Sequence, residues 1–324
     1  AILVSAKEAI FNKASALASV SQIFRSERAG ITVWLSALRV HQWLKNLLLF
    51  VPLLSAHQIS NFNSLSTLLL AFFSFSLCAS SIYIINDLLD LESDRSHPSK
   101  RFRPFASARL SILYGVIAAP LLVAGSFILG AAVSSDFFII LFVYLFLTIT
   151  YSFGLKRLVL VDCFILATLY TIRLIAGAAA VSVSLSFWLL SFSIFIFLSL
   201  ALLKRYAELL VQSLHGKTSS QGRGYLVSDA QLLQVLGVSS GYISALVIAL
   251  YLRSETVMSL YVEPSAISLL IPLLLFWVSW VWLKSSRGEM HDDPVVFAIK
   301  DKVSLFVATI ALIVFIYAST GFDL

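Results

Sequence analysis

Charge is scarce in this sequence. Of its 324 residues only 12% are Asp, Glu, Lys or Arg, 59% are apolar, and the mean hydropathy is +0.94. So few charges cannot coat a soluble domain of this length, which excludes that class and indicates a polytopic membrane protein. Cysteine is nearly missing: Cys78 and Cys163 both fall inside apolar runs. They read as small packing residues, and a disulfide framework or CxxC site is excluded. Neither a Walker A loop nor a G-x-G-x-x-G is present, nor H-E-x-x-H or Cys/His zinc spacing, nor G-x-S-x-G. No strand pattern stands out. The net charge of +6 does not call for nucleic acid, because the basic residues sit in loops between apolar runs.

What is present is a series of nine apolar spans, at about 36–55, 64–89, 109–132, 136–155, 158–181, 185–206, 232–253, 264–284 and 303–320. Each is close to the roughly 20 residues that cross a bilayer, and each is predicted helical because lipid offers no partner for an unpaired backbone. The expected fold class is therefore all-α, with residues 31–324 forming one transmembrane domain. Residues 1–30 mix Lys7, Glu8, Lys13, Arg25, Glu27 and Arg28 with apolar side chains and lack an uninterrupted secretory-type apolar core. They are expected to form an interfacial amphipathic segment or linker.

Basic residues alternate between loops. Lys and Arg precede span one and follow spans two, four, six and eight, while the opposite loops are nearly bare. The positive-inside rule puts the N-terminus in the cytoplasm, the C-terminus outside, and the polar motifs on the cytoplasmic face of the plasma (inner) membrane.

The stretch SIYIINDLLDLESDRSHPSKRFRP, residues 81–104, is the densest of these motifs. Asn86, Asp90 and Asp94 are spaced i, i+4, i+8, and Asp87 lies three before Asp90, so one helix face carries all four. Stacked carboxylates repel one another and need a counter-charge. A Mg²⁺ ion bridging to substrate phosphate supplies one, held by Asn86, Asp90 and Asp94. The neighbouring Lys100, Arg101 and Arg103 suit the remaining phosphate oxygens. A solvated polar helix end is the plainer explanation for a single Asp, but polar side chains in such a place are costly unless used.

Further polar residues recur at span ends. Span one carries Arg39, Gln42, Lys45 and Asn46 as a stripe. Span four ends in YSFGLKRLVLVD, with Tyr151, Lys156, Arg157 and Asp162 around a short turn. Asp162 and Arg173 lie within apolar span five, about three turns apart, where a charge faces a cavity or a partner. A structural ion pair is the plainer reading of those two. Lys204, Arg205 and Glu208 continue span six into a loop suited either to a lid or to a plain connector. Asp293 before Pro294 reads as an N-cap with proline at the first helical position, which accounts for the acid content of HDDP. Polar groups gathered at one face fit an enzyme that joins a membrane lipid to a soluble, phosphate-bearing substrate.

NDLLDLESDRSHPSKRFRPFAS resembles the first Asp-rich motif of the UbiA superfamily of intramembrane prenyltransferases, and YSFGLKRLVLVD resembles its span-four signature. The likeness covers about residues 35–320. Superfamily prenyltransferases carry a second Asp-rich motif after span six, where this chain reads KRYAELLVQ with one acid, Glu208. RVHQWLKNLLLFVPL, HPSKRFRP, KRYAEL, RGY and HDDPVVFAIKD are instead similar to the decaprenyl-phosphate phosphoribosyltransferase branch. The resemblance implies a UbiA-type bundle with a cytoplasm-facing cavity and Mg²⁺ as cofactor. It implies transfer of 5-phosphoribosyl from phosphoribosyl pyrophosphate (PRPP) to a polyprenyl phosphate of decaprenyl type, for lipid-linked arabinose in cell envelopes. Asp87, Asp90 and Asp94 are the expected catalytic residues. Substrate contacts are expected from Lys45, Asn46, Tyr83, Lys100, Arg101, Arg103, Tyr151, Lys156, Arg157, Asp162, Arg173, Lys204, Arg205 and Glu208. The alternative is UbiA-type prenyl transfer from a prenyl diphosphate to an aromatic acceptor. Family analogy also allows a homo-oligomer and, upstream, a fused haloacid-dehalogenase-type phosphatase domain.

Overall fold

The computed structural model describes Ile2–Val4, Lys13, Ala16 and Gln22–Phe24. From Gly30 onward it describes every residue except 59–60, 97–99, 215, 217, 219–222, 255–256, 258–259, 291–292 and 322–324. Most of the amphipathic segment or linker expected over 1–30 thus falls outside the described residues. The described parts include two three-residue strands, β1 (Ile2–Val4) and β2 (Gln22–Phe24), paired in parallel with Ile2 opposite Gln22. Segments of three residues are too short for periodicity to reveal.

The rest of the described chain is mainly helical. In order come α1 (Ile31–Ala37), a 3₁₀ segment (Val40–Phe50), α2 (Val51–Ser55), α3 (Phe62–Leu89), α4 (Leu91–Ser96) and α5 (Ile112–Val133). Then follow α6 (Ser135–Phe153), α7 (Val161–Ala180), α8 (Phe187–Leu214), α9 (Ala230–Tyr251), α10 (Leu270–Ser286), α11 (Pro294–Lys300) and α12 (Lys302–Thr320). Among the described residues, eight helices are long and apolar enough to cross a bilayer: α3, α5 to α8, α9 and α10 with their short 3₁₀ leads, and α12. Together they account for eight of the nine expected spans.

The first expected span is not one helix. It is broken into α1, the 3₁₀ segment and α2. Arg39, between α1 and the 3₁₀ segment, has φ +50, a left-handed conformation that costs a non-glycine residue about 1–2 kcal/mol and ends a right-handed helix. An apolar count over 36–55 cannot see a single residue's φ.

The chain divides into two compact units. The first comprises Ala1–Leu44 and Ser74–Ile128. Its core packs Ala37 of α1, Ile84 of α3, Phe105 and Leu110 of the connecting loop, and Ala119 of α5. Ser74 and Ser126 bond reciprocally to each other's backbone carbonyls at 2.8 Å, clamping α3 to α5 inside the core. Small hydroxyl residues of this kind are the usual glue between membrane helices.

The second unit comprises Lys45–Phe73 and Leu129–Leu324. Its largest core gathers Cys163 and Ala167 of α7, Leu200 and Leu203 of α8, Leu233 of α9 and Val278 and Trp282 of α10. Gly177 of α7 lies against the backbone of Leu49, so closely that a methyl group there would overlap the Leu49 carbonyl. On the outer faces of the helices Leu121, Ile128, Phe142, Phe146 and Leu312 are exposed, the expected state of side chains that meet lipid.

Candidate active site

In the first unit the helical hydrogen bonds run through the junction of α3 and α4. Asp90 N–H donates to Asn86 O at 2.9 Å and Asp94 N–H to Asp90 O at 2.8 Å. The i, i+4, i+8 line of Asn86, Asp90 and Asp94 is therefore kept. The counter-charge that the stacked acids need comes partly from guanidinium groups. Arg39 pairs with Asp87 and lies 5.0 Å over the Tyr83 ring. Arg103 Nη1 reaches both Asp87 Oδ1 at 3.2 Å and Asp94 Oδ2 at 2.6 Å. Asp87 and Asp94 are buried beneath these two arginines. Lys100 and Arg101 of the same basic run are exposed, Arg101 lying 4.9 Å from the Phe102 ring.

Among the described residues no three His, Cys, Asp or Glu side chains converge as a finished metal cage. The donors nevertheless suit Mg²⁺. Asn86 and Asp90 are half-buried on the same face as Asp94, and Asp94 Oδ1 is buried without a hydrogen-bond partner. A buried orphan oxygen is costly unless a cation or water uses it. Mg²⁺ is commonly held by one or two carboxylates plus substrate phosphates rather than by an all-protein cage.

The second unit holds two polar groups. One centres on Asp293, the residue expected only to cap α11. It does cap, Oδ1 accepting from Val295 N–H at 3.2 Å. It also accepts from Lys45 Nζ at 2.8 Å and Lys204 Nζ at 3.0 Å, both on Oδ2, and from Tyr170 OH at 3.3 Å on Oδ1. Burial alone would raise the carboxyl's pKa, but the two ammonium groups outweigh it and hold the group well below the usual carboxylate range. Tyr170 also presents its ring to Lys45 and to Arg173, each at 5.6 Å. Arg173 is buried and donates to Asn46 Oδ1 at 2.9 Å, to Tyr144 OH at 3.2 Å and to Leu169 O.

The other group centres on Asp162, at the start of α7. Its Oδ2 pairs with Arg205 Nε at 2.8 Å and Arg223 Nη1 at 3.4 Å, and Tyr225 OH donates to its Oδ1. Arg205 also pairs with Glu208, so the lone acid after span six is engaged by an arginine. Tyr225 OH in turn accepts from Leu160 N–H at 2.8 Å. Burial, together with the bond to Asp162, pushes the Tyr225 phenol up. Tyr151 ends α6 within electrostatic reach of Arg205 and Lys204. Lys156 is half-buried and Arg157 exposed on the 3₁₀ turn Leu155–Arg157.

Asp162 and Arg173 do not pair with each other, so the plainer reading of the two as one structural ion pair does not hold. Each finds other partners, because three turns of helix keep them apart and nearer groups are available. Sequence reasoning also missed the second role of Asp293, and missed Tyr144, Tyr170 and Tyr225. The hydrogen-bond partners that give them these roles lie between 29 and 248 residues away, beyond the reach of helix periodicity.

The chain matches the family model for UbiA prenyltransferases over residues 47–310. The chain belongs to the UbiA prenyltransferase family. It is an integral membrane protein of a transferase family. It is 39% identical over 286 residues to the protein y4nM of Sinorhizobium fredii, a match covering 88% of this chain and 55% of that protein. The chain thus spans about half the length of that relative. It is 35% identical over 269 residues to nodulation protein NoeC of Azorhizobium caulinodans, covering 83% and 87% of the two chains. To the decaprenyl-phosphate phosphoribosyltransferase of Mycolicibacterium smegmatis it is 37% identical over 179 residues, covering 54% and 56%. Among solved structures it is similar to a UbiA homolog from Archaeoglobus fulgidus bound to GPP and Mg²⁺. That likeness has a TM-score of 0.66 at 17% identity, over 87% of this chain and 99% of that one. A digeranylgeranylglyceryl phosphate synthase is similar at TM-score 0.62 and 15% identity, over 90% and 99%. These two likenesses establish the UbiA fold.

Proposed function

We propose that this UbiA-family protein transfers 5-phosphoribosyl from PRPP to a polyprenyl phosphate of decaprenyl type, with Mg²⁺, on the cytoplasmic side of the inner membrane. The observation that carries the reading is the end of α8. Where a second acidic motif would hold a second metal on a prenyl diphosphate, this chain has Lys204, Arg205 and Glu208, with Glu208 held by Arg205. A cationic segment there suits substrates that bring more phosphate and less metal. The partial likeness to the mycobacterial phosphoribosyltransferase supports the same choice.

In the reaction the bond from ribose C1 to diphosphate breaks, an acceptor phosphate oxygen forms the new bond at C1, and diphosphate leaves. Attack from the opposite face inverts C1. The acceptor is already anionic, so no strong general base is needed. Asn86, Asp90 and Asp94 Oδ1 are the residues that would hold Mg²⁺, and the ion's chemistry there is neutralisation of the departing diphosphate. Arg39 and Arg103 pair with Asp87 and Asp94 and orient them. Lys45, Lys204, Arg173 and, on the span-four turn, Lys156 and Arg157 are assigned to phosphate oxygens.

The family name and the prenyl-diphosphate-bound archaeal neighbour favour the second reading, prenyl transfer to an aromatic acceptor. Purified protein given PRPP and decaprenyl phosphate with Mg²⁺ should release diphosphate and form decaprenylphosphoryl phosphoribose, and chelation by EDTA should stop it. Turnover only with prenyl diphosphate and 4-hydroxybenzoate would sink the first reading.

A further inference from the structure

Two ammonium groups in the second unit share one carboxylate oxygen. Lys45 Nζ and Lys204 Nζ both donate to Asp293 Oδ2, at 2.8 and 3.0 Å. Among the described residues one carboxylate oxygen thus bonds two ammonium groups, and Lys45 Nζ and the Arg173 guanidinium each lie 5.6 Å from the centre of the Tyr170 ring. The position of Oδ2 is where an oxyanion is bonded by two cations at once. The group is also reachable: the Lys204 side chain is 33% exposed, whereas Lys45 and Asp293 are at 11% and 10%. The Asp162 group differs here, since Asp162 and Arg205 are sealed at 0% and 1% and already matched by Glu208 and Tyr225.

Asp293 does not need the lysines to stay ordered. Its Oδ1 separately caps α11 through Val295 N–H and accepts from Tyr170 OH. Oδ2 is therefore the exchangeable half of the side chain. A phosphate monoester carries about −1.5 to −2 at pH 7 and offers three acceptor oxygens. In the Oδ2 position it would keep both lysine bonds and better match the paired cations.

We propose that Lys45 and Lys204 form a phosphomonoester subsite whose place the Asp293 carboxylate occupies as an internal competitor, yielding it when a phosphate group arrives. The inference rests on the proposed function for the source of that phosphate, which is either the 5-phosphate of the soluble donor or the headgroup of the lipid acceptor. Competition of this kind sets a threshold: only a dianion displaces the carboxylate, so neutral analogues and diesters are refused.

The test uses Asp293→Asn in the full chain, reconstituted in phosphatidylcholine nanodiscs. Asparagine caps a helix about as well as aspartate, but a neutral amide does not compete with an anion for lysine. Binding of ribose 5-phosphate and of geranyl monophosphate is measured against ribose and geraniol. The variant should bind one monoester roughly tenfold tighter than the natural protein, and which one tightens identifies the source. Unchanged or weaker binding of both, as expected if Asp293 merely orients the lysines, overturns the proposal. If the variant does not fold, Lys45→Gln and Lys204→Gln decide: each should weaken monoester binding about tenfold, and natural affinity in both overturns the subsite. Binding is read without turnover. Tightening in a protein that never uses PRPP would therefore sink only the proposed function, and PRPP turnover without tightening only the subsite.

Discussion

At the scale of single residues, the aligned acids of α3 and α4 divide into two kinds. Asp87 and Asp94 are buried under Arg39 and Arg103, whereas Asp90 is half-buried and no ion pair among the described residues engages it. Removing charge from the two kinds should have opposite consequences. Asp90→Asn should leave thermal stability in detergent within about 0.5 kcal/mol of natural, as an undemanding substitution does. It should lower transferase turnover by roughly a hundredfold or more, the scale expected when a metal ligand for the leaving group is lost. Arg103→Gln should instead lower the melting temperature. A buried pair broken from one side costs about 3–5 kcal/mol, less here because Arg103 is 28% exposed. Adding Asp94→Asn to Arg103→Gln should recover much of the loss, since the orphaned charge goes with it. An unchanged melting temperature for Arg103→Gln would show that these ion pairs do not hold the motif. The acid alignment was legible because helix periodicity is local. That the nearest cations would be Arg39 and Arg103 was not, because Arg39 reaches Asp87 across 48 residues of sequence.

At the scale of elements, the stretch after α8 is fastened to the start of α7 by a few close contacts. Gly224 N–H donates to Arg157 O at 3.2 Å, and a Cβ at Gly224 would stand 2.8 Å from that same oxygen. The close approach sets Tyr225 into a buried position, where its hydroxyl joins Asp162 to the Leu160 backbone. Leu160 itself sits at φ +64, so the turn into α7 relies on these bonds. Tyr225→Phe keeps the ring and deletes the hydroxyl. It leaves a buried carboxylate oxygen and a backbone N–H short of a partner, a loss of about 1–3 kcal/mol. A melting temperature equal to the natural protein's would contradict that. Gly224→Ala should have the same sign, and combining the two should cost less than their sum because both release the same segment. Long apolar helices were readable from composition alone. The break at Arg39 and the anchoring by Tyr225 were not, since both depend on backbone angles and distant partners that hydropathy does not encode.

At the scale of the whole molecule, the number of crossings, eight or nine, decides orientation. Eight helices qualify as spans among the described residues. If the broken segment 31–55 stayed on one side, both ends of the chain would face the same compartment. The alternation of basic and bare loops, however, keeps its phase only if that segment also crosses. The 3₁₀ geometry does not forbid this: backbone that departs from the α-helix is tolerated at membrane depth when it is packed against protein, and Asn46 and Leu49 of the segment are buried, Leu49 against Gly177 of α7. Both native cysteines are fully buried, so introduced thiols report without background. Ser135→Cys, at the exposed first residue of α6, should react with a membrane-impermeant maleimide in intact cells. Thr218→Cys, in the loop after α8, should react only after permeabilisation. Alanine at Gly177 would push α7 off the Leu49 backbone and should weaken expression of the folded protein without reversing this pattern. Labelling of Thr218→Cys in intact cells would invert the proposed orientation and place the Asp90 face away from any cytoplasmic phosphate donor.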